Sequence, residues 1–156
     1  LVVLGSGEPH LERSLLEAAQ VHPERVSVKL AFDAALAHEI YAGIDFFLMP
    51  SRYEPCGLGQ LYALAYGAIP IVRMTGGLAD TVTDLNRITQ REATADGLMF
   101  VPLTPGSIAR QVRRAVDIFH HAETLTAMRR AGMKKRFSWD KSSDAYVALY
   151  KDALLG

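Results

Sequence analysis

Residues 45–66 read DFFLMPSRYEPCGLGQLYALAY, and this stretch contains a strand, a connecting loop and a helix in that order. The apolar run at 45–49 is short and almost uninterrupted, which is typical of a strand buried in a parallel sheet. Prolines and a glycine follow it, and the apolar residues beyond them indicate a helix over about 58–66. A buried strand that leads through a loop into a helix is the repeating unit of an α/β fold.

The same alternation extends in both directions from this stretch. It predicts strands at 1–4, 26–30, 45–49, 69–73 and 98–101, and helices at about 9–21, 34–42 and 58–66. The last third of the chain is expected to be helical, with helices that start at Thr104-Pro105, cover about 122–135, and run from a cap at Ser138 to near Leu155. The pattern therefore predicts an α/β fold with a parallel sheet, covering helices and a helical C-terminal third.

Capping residues support several of these helix ends. Pro9 suits a first helical position and Asp33 suits an N-cap. Gly43 and Gly67 fall where a left-handed C-cap is expected. Between two elements, residues 84–96 form a polar connection that is longer than most, which favours a functional or mobile loop.

Composition excludes several classes of function. The chain has 156 residues, and 17 lysines and arginines balance 17 aspartates and glutamates. No overall charge therefore favours binding to nucleic acid or to an anionic membrane. No apolar run approaches the ~20 residues that cross a bilayer, and no secretory signal is present, so we expect a cytoplasmic protein. Because the chain opens directly in a strand without an initiator methionine, we expect it to be a piece of a longer protein.

The loop after the strand at 45–49 contains the candidate chemistry. In an open parallel sheet, ligands bind where the carboxyl ends of strands meet the N-termini of helices. The N-terminus of the helix at 58–66 offers unpaired N–H groups to phosphate, and Gly57 and Gly59 would allow an anion to come close. Glu54 cannot help to bind phosphate, but it could accept hydrogen bonds from sugar hydroxyls. A sugar-nucleotide site is one interpretation, and a glycine- and proline-containing turn with a solvated glutamate is the other.

Two further glycine segments follow strands. The loop Thr75-Gly76-Gly77 comes after the strand at 69–73 and is expected at the same sheet edge, although an ordinary glycine turn would look similar. Gly5-Ser6-Gly7 follows the first strand but lacks the third glycine of a phosphate-binding motif, so a tight turn is favoured there.

Four connected motifs make the interpretation more specific. They read SRYEPCGL over 51–58, QLY over 60–62, IPIVR over 69–73 and TGGLADTV over 75–82. Together they closely resemble the bacterial glycogen synthase and plant starch synthase family, and the resemblance runs over the whole chain.

This resemblance implies an activity and an architecture. Members of the family transfer glucose from ADP-glucose, or in some cases UDP-glucose, to the non-reducing end of an α-1,4-glucan with retention of configuration. They have the GT-B architecture, in which two Rossmann-like domains face each other across a cleft and the C-terminal one holds most of the donor. A bacterial member would act in the cytoplasm and a plant member in the plastid. Another sugar-nucleotide transferase of this architecture and a non-catalytic nucleotide-binding module stay open as alternatives.

The resemblance also assigns roles to residues of the donor site. Glu54 corresponds to the glutamate that hydrogen-bonds the donor glucose, and the backbone at Gly57, Leu58 and Gly59 to the diphosphate cradle. Phe32 stands where the family tends to place an aromatic ring against adenine, although it could simply be a phenylalanine of the core or of a strand end.

Other positions would line the same pocket or depart from the family. Tyr62 and Thr75 would line it, and Tyr62 replaces the second glutamate of the broader retaining GT-B families. Gly59 replaces a threonine that is usual here. Cys56 lies at the start of the anion-binding turn, where a helix N-terminus favours a reactive thiol; the alternative is a buried, inert cysteine. We predict neither a metal ion nor a cofactor.

The resemblance finally predicts that the chain, 1–156, is one partial domain. The first strand of the domain, its phosphate-binding arginine and lysine, and the N-terminal acceptor domain would all lie upstream. In a Rossmann-like order, strands 1–4 and 45–49 would flank the missing strand. We therefore expect the two strands to close up, a partner chain to insert a strand, or two copies to associate. Apolar side chains of the last helix, such as Trp139 and Tyr150, should be partly exposed.

Overall fold

The computed structural model describes residues 1–155, except for the side chains of Lys141 and Leu155. The chain divides into two compact units, Leu1–Asp45 and Phe46–Gly156. Every strand ladder is parallel, and helices connect the strands within each ladder. The α/β class predicted from the alternating pattern is confirmed.

The unit Leu1–Asp45 contains two strands and two helices. These are β1 (Val2–Leu4), α1 (Pro9–Val21), β2 (Ser27–Lys29) and α2 (Ala34–Gly43). Pro9 occupies the first turn of α1, and the Asp33 carboxylate caps α2 by accepting a 3.0 Å hydrogen bond from the Leu36 N–H. That N–H, together with the Lys29 ammonium, lowers the pKa of Asp33. Both predicted helix starts are confirmed.

The unit Phe46–Gly156 contains a three-stranded sheet in the order β3-β4-β5. Its elements are β3 (Phe46–Met49), α3 (Gly59–Tyr66), β4 (Ile69–Arg73), α4 (Gly76–Thr81), α5 (Arg87–Arg91), β5 (Leu98–Phe100), α6 (Pro105–Phe119), α7 (Ala122–Lys134) and α8 (Trp139–Leu155). The central strand β4 is apolar throughout its first four residues because both of its faces are covered.

The main core lies on one face of this sheet. Alternate residues of β4 and β5, which include Ile71 and Leu98, pack with Ala115 and Ile118 of α6 and with Met128 of α7. The next residues along β4 point to the opposite face, as the two-residue period of a strand requires. There Val72 packs with Leu78 of α4 and with Val82, the residue that follows α4. The sheet thus holds α4 on one side and α6 and α7 on the other.

Of three predictions about local structure, the structure corrects two and confirms one. Gly43 is the last residue of α2, and the chain leaves the helix through an extended Ile44, so Gly43 is not a left-handed C-cap. Gly67 does adopt that conformation, with φ 80°. The connection 84–96 contains the helix α5. At its start the Asn86 side chain accepts a hydrogen bond from the Thr89 N–H, and the Thr89 hydroxyl accepts one from the Asn86 N–H. A capped helix therefore occupies part of a segment that length and polarity predicted to be a functional or mobile loop.

Strand pairing bears on the predicted gap in the sheet. Among the described residues, β1 pairs only with β2, and β3 pairs only with β4. These two pairings lie each within one unit, so all three expected outcomes for the missing strand stay predictions.

A buried ion pair ties α7 to the segments around α4. The Asp96 carboxylate is fully buried, contacts the Lys135 ammonium, and accepts a 2.8 Å hydrogen bond from the Thr83 N–H. Burial raises the pKa of Asp96, and the hydrogen bond and charge of Lys135 offset only part of that rise. Lys135 also donates to the carbonyl oxygen of Thr81 at 2.7 Å, which places a cation at the carboxyl end of α4.

The last helix, α8, is exposed wherever its side chains are described. Trp139 is 77% exposed and Tyr150 62% exposed, so the predicted exposure of its apolar residues is confirmed. None of the helices in the described part of the chain is long and apolar enough to cross a membrane.

Candidate functional site

Two connecting segments meet at the carboxyl edge of the sheet. Strands β3 and β4 are parallel neighbours, with Met49 opposite Val72 at their carboxyl ends. The loop 50–58 follows β3, and residues 74 and 75 lead from β4 into α4. Because neighbouring parallel strands end at the same edge, the two segments predicted to hold a ligand lie side by side.

The contact between these segments is made by backbone atoms and requires glycine. The Gly77 N–H donates to the carbonyl oxygens of Glu54 at 3.0 Å and Pro55 at 3.2 Å. A Cβ atom on Gly77 would lie 2.4 Å from the carbonyl oxygen of Cys56. Gly76 has φ 44°, and a Cβ there would lie 2.1 Å from the carbonyl oxygen of Glu54. The pair Gly76-Gly77 therefore lets the two segments approach to a distance that no side chain would permit.

The structure changes the description of this glycine pair. The sequence predicted a loop over Thr75-Gly76-Gly77, whereas α4 begins at Gly76 and Thr75 takes the N-cap position without a side-chain cap bond. Close backbone packing, and not loop flexibility, accounts for the two glycines.

The first segment ends in an uncapped helix N-terminus. Gly57 has φ 73°, a left-handed conformation that favours glycine, and Leu58 stands at the N-cap of α3 without a side-chain cap bond. In the described part of the chain, the N–H groups of Gly57, Leu58 and Gly59 donate to no protein acceptor. Unpaired N–H groups combined with the helix dipole form a site that attracts an anion.

Glu54 stands immediately before this turn. Its side chain is half-buried, and the Ser51 hydroxyl donates to its Oε2 at 3.5 Å. Arg73, at the end of β4, donates to the carbonyl oxygen of Arg52 and so ties the loop to the sheet. A carboxylate held near an anion-binding turn can accept hydrogen bonds from hydroxyl groups of a ligand, and it can stabilise positive charge.

The remaining predicted residues are distributed over both units. Phe32 belongs to Leu1–Asp45 and is 97% exposed, so its interpretation as a core phenylalanine is wrong. Cys56 is a free, exposed cysteine, so the buried alternative is wrong as well. Tyr62 lies on α3 and is 43% exposed, whereas Thr75 is half-buried beside the glycine pair. All predicted residues except Phe32 thus lie in the unit Phe46–Gly156.

One residue of the quoted motifs was given no role from the sequence. Gln60 is fully buried, and its amide nitrogen lies 2.9 Å from the carbonyl oxygen of Cys56, 3.1 Å from that of Gly57 and 3.1 Å from the Thr81 hydroxyl. A polar residue in the first turn of a helix is common, so its type gave no signal. Its partner Thr81 is 21 residues away in sequence, and only the folded chain brings them together.

No metal centre is formed by the described residues, since no three histidine, cysteine, aspartate or glutamate side chains gather to hold an ion.

Comparison with known proteins places the chain among glycosyltransferases. Residues 1–135 match the family described as glycosyl transferases group 1. A glycogen synthase from Methylococcus capsulatus is 49% identical over 156 residues, which are 100% of this chain and 32% of that protein. A glycogen synthase from Granulibacter bethesdensis is 49% identical over 150 residues, 96% of this chain and 31% of that protein.

A solved structure resembles the chain in three dimensions. It is the catalytic domain of starch synthase IV from Arabidopsis thaliana bound to ADP and acarbose, and it matches with a TM-score of 0.83 and 33% identity. The match covers 99% of this chain and 32% of that structure. The chain therefore spans about a third of the length of the relatives that it matches.

Proposed function

The chain belongs to the group 1 glycosyl transferases, and from this premise we propose that it supplies the donor site of a glycogen or starch synthase. The observation that carries the proposal is the pair of segments at the sheet edge, where unpaired N–H groups of the turn at Gly57 lie next to the carboxylate-bearing residue Glu54. The anion-binding turn would bind the diphosphate of a sugar nucleotide, and the adjacent carboxylate would accept hydrogen bonds from the hydroxyl groups of its sugar. The full-length protein would transfer glucose to an α-1,4-glucan with retention of configuration.

The proposed donor is a nucleoside diphosphate sugar, ADP-glucose in the first place. Support comes from the starch synthase structure, which was obtained with ADP, and from the glycogen synthases that share nearly half of their residues with this chain over the matched region. UDP-glucose is the alternative donor. In this assignment Phe32 stacks on the base, whereas Tyr62, Thr75 and Cys56 line the pocket.

The chemistry follows from charge development in the reaction. When the bond between the glucose and the diphosphate breaks, negative charge grows on the departing phosphate and positive charge on the sugar ring. The N–H groups of Gly57, Leu58 and Gly59 would stabilise the first, and the Glu54 carboxylate the second, without reorganising during the step. The acceptor hydroxyl would attack from the face that the diphosphate leaves, and its proton would pass to the departing phosphate oxygen. Closure of the cleft over the donor would exclude water, which otherwise competes as an acceptor.

We further propose that the chain is one part of a larger domain. Strand β3 has a neighbour on one side only within the described chain. A strand from upstream residues would pair with its other side, since unpaired backbone groups in a buried sheet are costly. The same upstream region would supply the basic residues and the acceptor domain. A bacterial protein of this kind would act in the cytoplasm.

The role of Glu54 can be tested in the full-length protein by Glu54→Gln. Loss of the carboxylate should lower the rate of glucose transfer from ADP-glucose to glycogen by about 100-fold or more, because one preorganised electrostatic contact to a transition state is typically worth that much. Glu92→Gln makes the same change of charge on an exposed residue after α5 and should leave the rate unaltered. Transfer at the wild-type rate by a correctly folded Glu54→Gln protein would remove Glu54 from the site.

A further inference from the structure

The side chain of Gln60 is fixed in one orientation by the groups around it. The Thr81 hydroxyl donates its proton to the carbonyl oxygen of Gly77 at 2.6 Å, so its oxygen is left to accept. The two carbonyl oxygens of Cys56 and Gly57 can only accept. Three acceptors around one atom require a donor there, and the amide nitrogen of Gln60 is that donor, with its two protons shared among them. A glutamate of the same shape would have no proton to offer in its ionised form.

This hydrogen bonding determines which way the turn faces. Gln60 is fully buried, so the carbonyl oxygens of Cys56 and Gly57 that contact it point into the protein. In a planar trans peptide the N–H points away from the carbonyl oxygen of the same unit, and the cis bond of the described chain lies elsewhere, at Val101-Pro102. The N–H groups of Gly57 and Leu58 must therefore point away from Gln60.

The turn needs such a restraint because its own backbone does not supply one. Gly57 has φ 73° and no side chain, so its flanking peptide units can rotate at a lower cost than those of any other residue. Rotation of either unit would exchange an outward N–H for an outward carbonyl oxygen. A partial negative charge would then face the anion in place of a donor.

We propose that Gln60 is a positioning residue that sets the polarity of the anion-binding turn. Its amide holds two carbonyl oxygens inward, and the turn thereby presents N–H groups to the diphosphate of the donor. Thr81 of α4 contributes as well, because its hydroxyl accepts a hydrogen bond from the Gln60 amide and so orients it. The inference rests on the proposed function, since it takes the ligand of the turn to be a nucleoside diphosphate.

The test compares the binding of ADP and of adenosine to the full-length protein by calorimetry. Adenosine lacks the phosphates. Damage to the whole pocket should therefore weaken the binding of both ligands, whereas a turn of the wrong polarity should weaken the binding of ADP alone. We expect Gln60→Glu and Gln60→Met to weaken ADP binding by about tenfold or more, the worth of a hydrogen bond to a charged group. Adenosine binding should change less than about twofold. Gln90→Glu, at an exposed glutamine of α5, is the matched control and should bind both as wild type does.

A second pair of variants covers the case in which the Gln60 variants do not fold. Thr81→Ser keeps the hydroxyl and should preserve ADP binding. Thr81→Val removes the hydroxyl and should weaken the binding of ADP but not that of adenosine. An unchanged ratio of ADP to adenosine affinity in the folded Gln60 variants, or in Thr81→Val, would overturn the role of Gln60 and leave the donor site intact. Failure of the wild-type protein to bind ADP at all would overturn the proposed function together with this inference.

Discussion

Replacement of Gly77 by alanine tests the contact between the two segments of the site. A Cβ at this position would lie 2.4 Å from the carbonyl oxygen of Cys56 and 2.6 Å from its Cα, whereas ordinary contacts begin at 3.4 Å. The two backbones must therefore separate by up to about 1 Å. Both clashing atoms belong to the main chain, so no side chain can rotate away to relieve the overlap.

The expected cost can be set from this geometry. Overpacking of a close-packed site costs about 1–3 kcal/mol, and separation also weakens the hydrogen bonds from the Gly77 N–H to the carbonyl oxygens of Glu54 and Pro55. We expect Gly77→Ala to lower the free energy of unfolding by about 2 kcal/mol. For a chain of this size, that corresponds to a fall in melting temperature of roughly 4–8 °C.

Thermal unfolding followed by circular dichroism measures the effect, with Gly106→Ala as the matched control. A Cβ on Gly106 would meet nothing within 4 Å, and Gly106 lies in the first turn of α6, where alanine favours the helix. The control should therefore unfold at the wild-type temperature or slightly above it. If Gly77→Ala melts within about 1 °C of wild type, the backbones at Gly77 and Cys56 are not in such close contact.

Three further predictions concern the buried aspartate, the cysteine and a helix cap. Because burial raises the pKa of Asp96 in the folded state, the folded protein keeps this proton to higher pH than the unfolded chain does. The free energy of unfolding of wild type, relative to that of Asp96→Asn, should therefore decrease as pH rises from about 3.9 through the raised pKa. Urea unfolding at several pH values measures this difference, and a difference that stays constant or increases with pH would contradict the prediction. Cys56 is exposed beside the proposed diphosphate site, so ADP-glucose should slow its reaction with a thiol reagent, and equal rates with and without the donor would speak against that placement. Thr104→Ala should lower the free energy of unfolding by about 1 kcal/mol, because the Thr104 hydroxyl accepts from the Ser107 N–H, and an unchanged urea midpoint would show that the cap contributes nothing.

Several features could be predicted from the sequence because they depend on neighbouring residues. Pro9, Asp33 and Thr104 mark helix starts through their own backbone and side-chain chemistry, and all three lie where they were expected. Strand β4 could be located because a strand buried on both faces reads as a run of apolar residues, here the four that precede Arg73. The family resemblance pointed to the candidate site segments, since the motifs of 51–58 and 75–82 are each contiguous in sequence.

Where the local signals were ambiguous, the sequence-based predictions failed. Gly43 ends its helix without a left-handed residue, since a glycine permits that conformation but does not require it. The polar segment 84–96 contains a capping pair, Asn86 and Thr89, at the start of a short helix. Both residues are also common in loops, so polarity alone did not distinguish the two structures.

The sequence by itself thus determined the α/β class, most element positions and the identity of the candidate site segments. Only the tertiary structure decided how those segments meet. Two contacts, the packing of Gly77 against Cys56 and the hydrogen bond from Gln60 to Thr81, each join residues 21 positions apart. The pairing of β3 with β4 brings the segments that hold them together. Contacts of this range depend on strand register, which a single sequence does not specify, so the polarity of the turn at Gly57 became visible only in the folded chain.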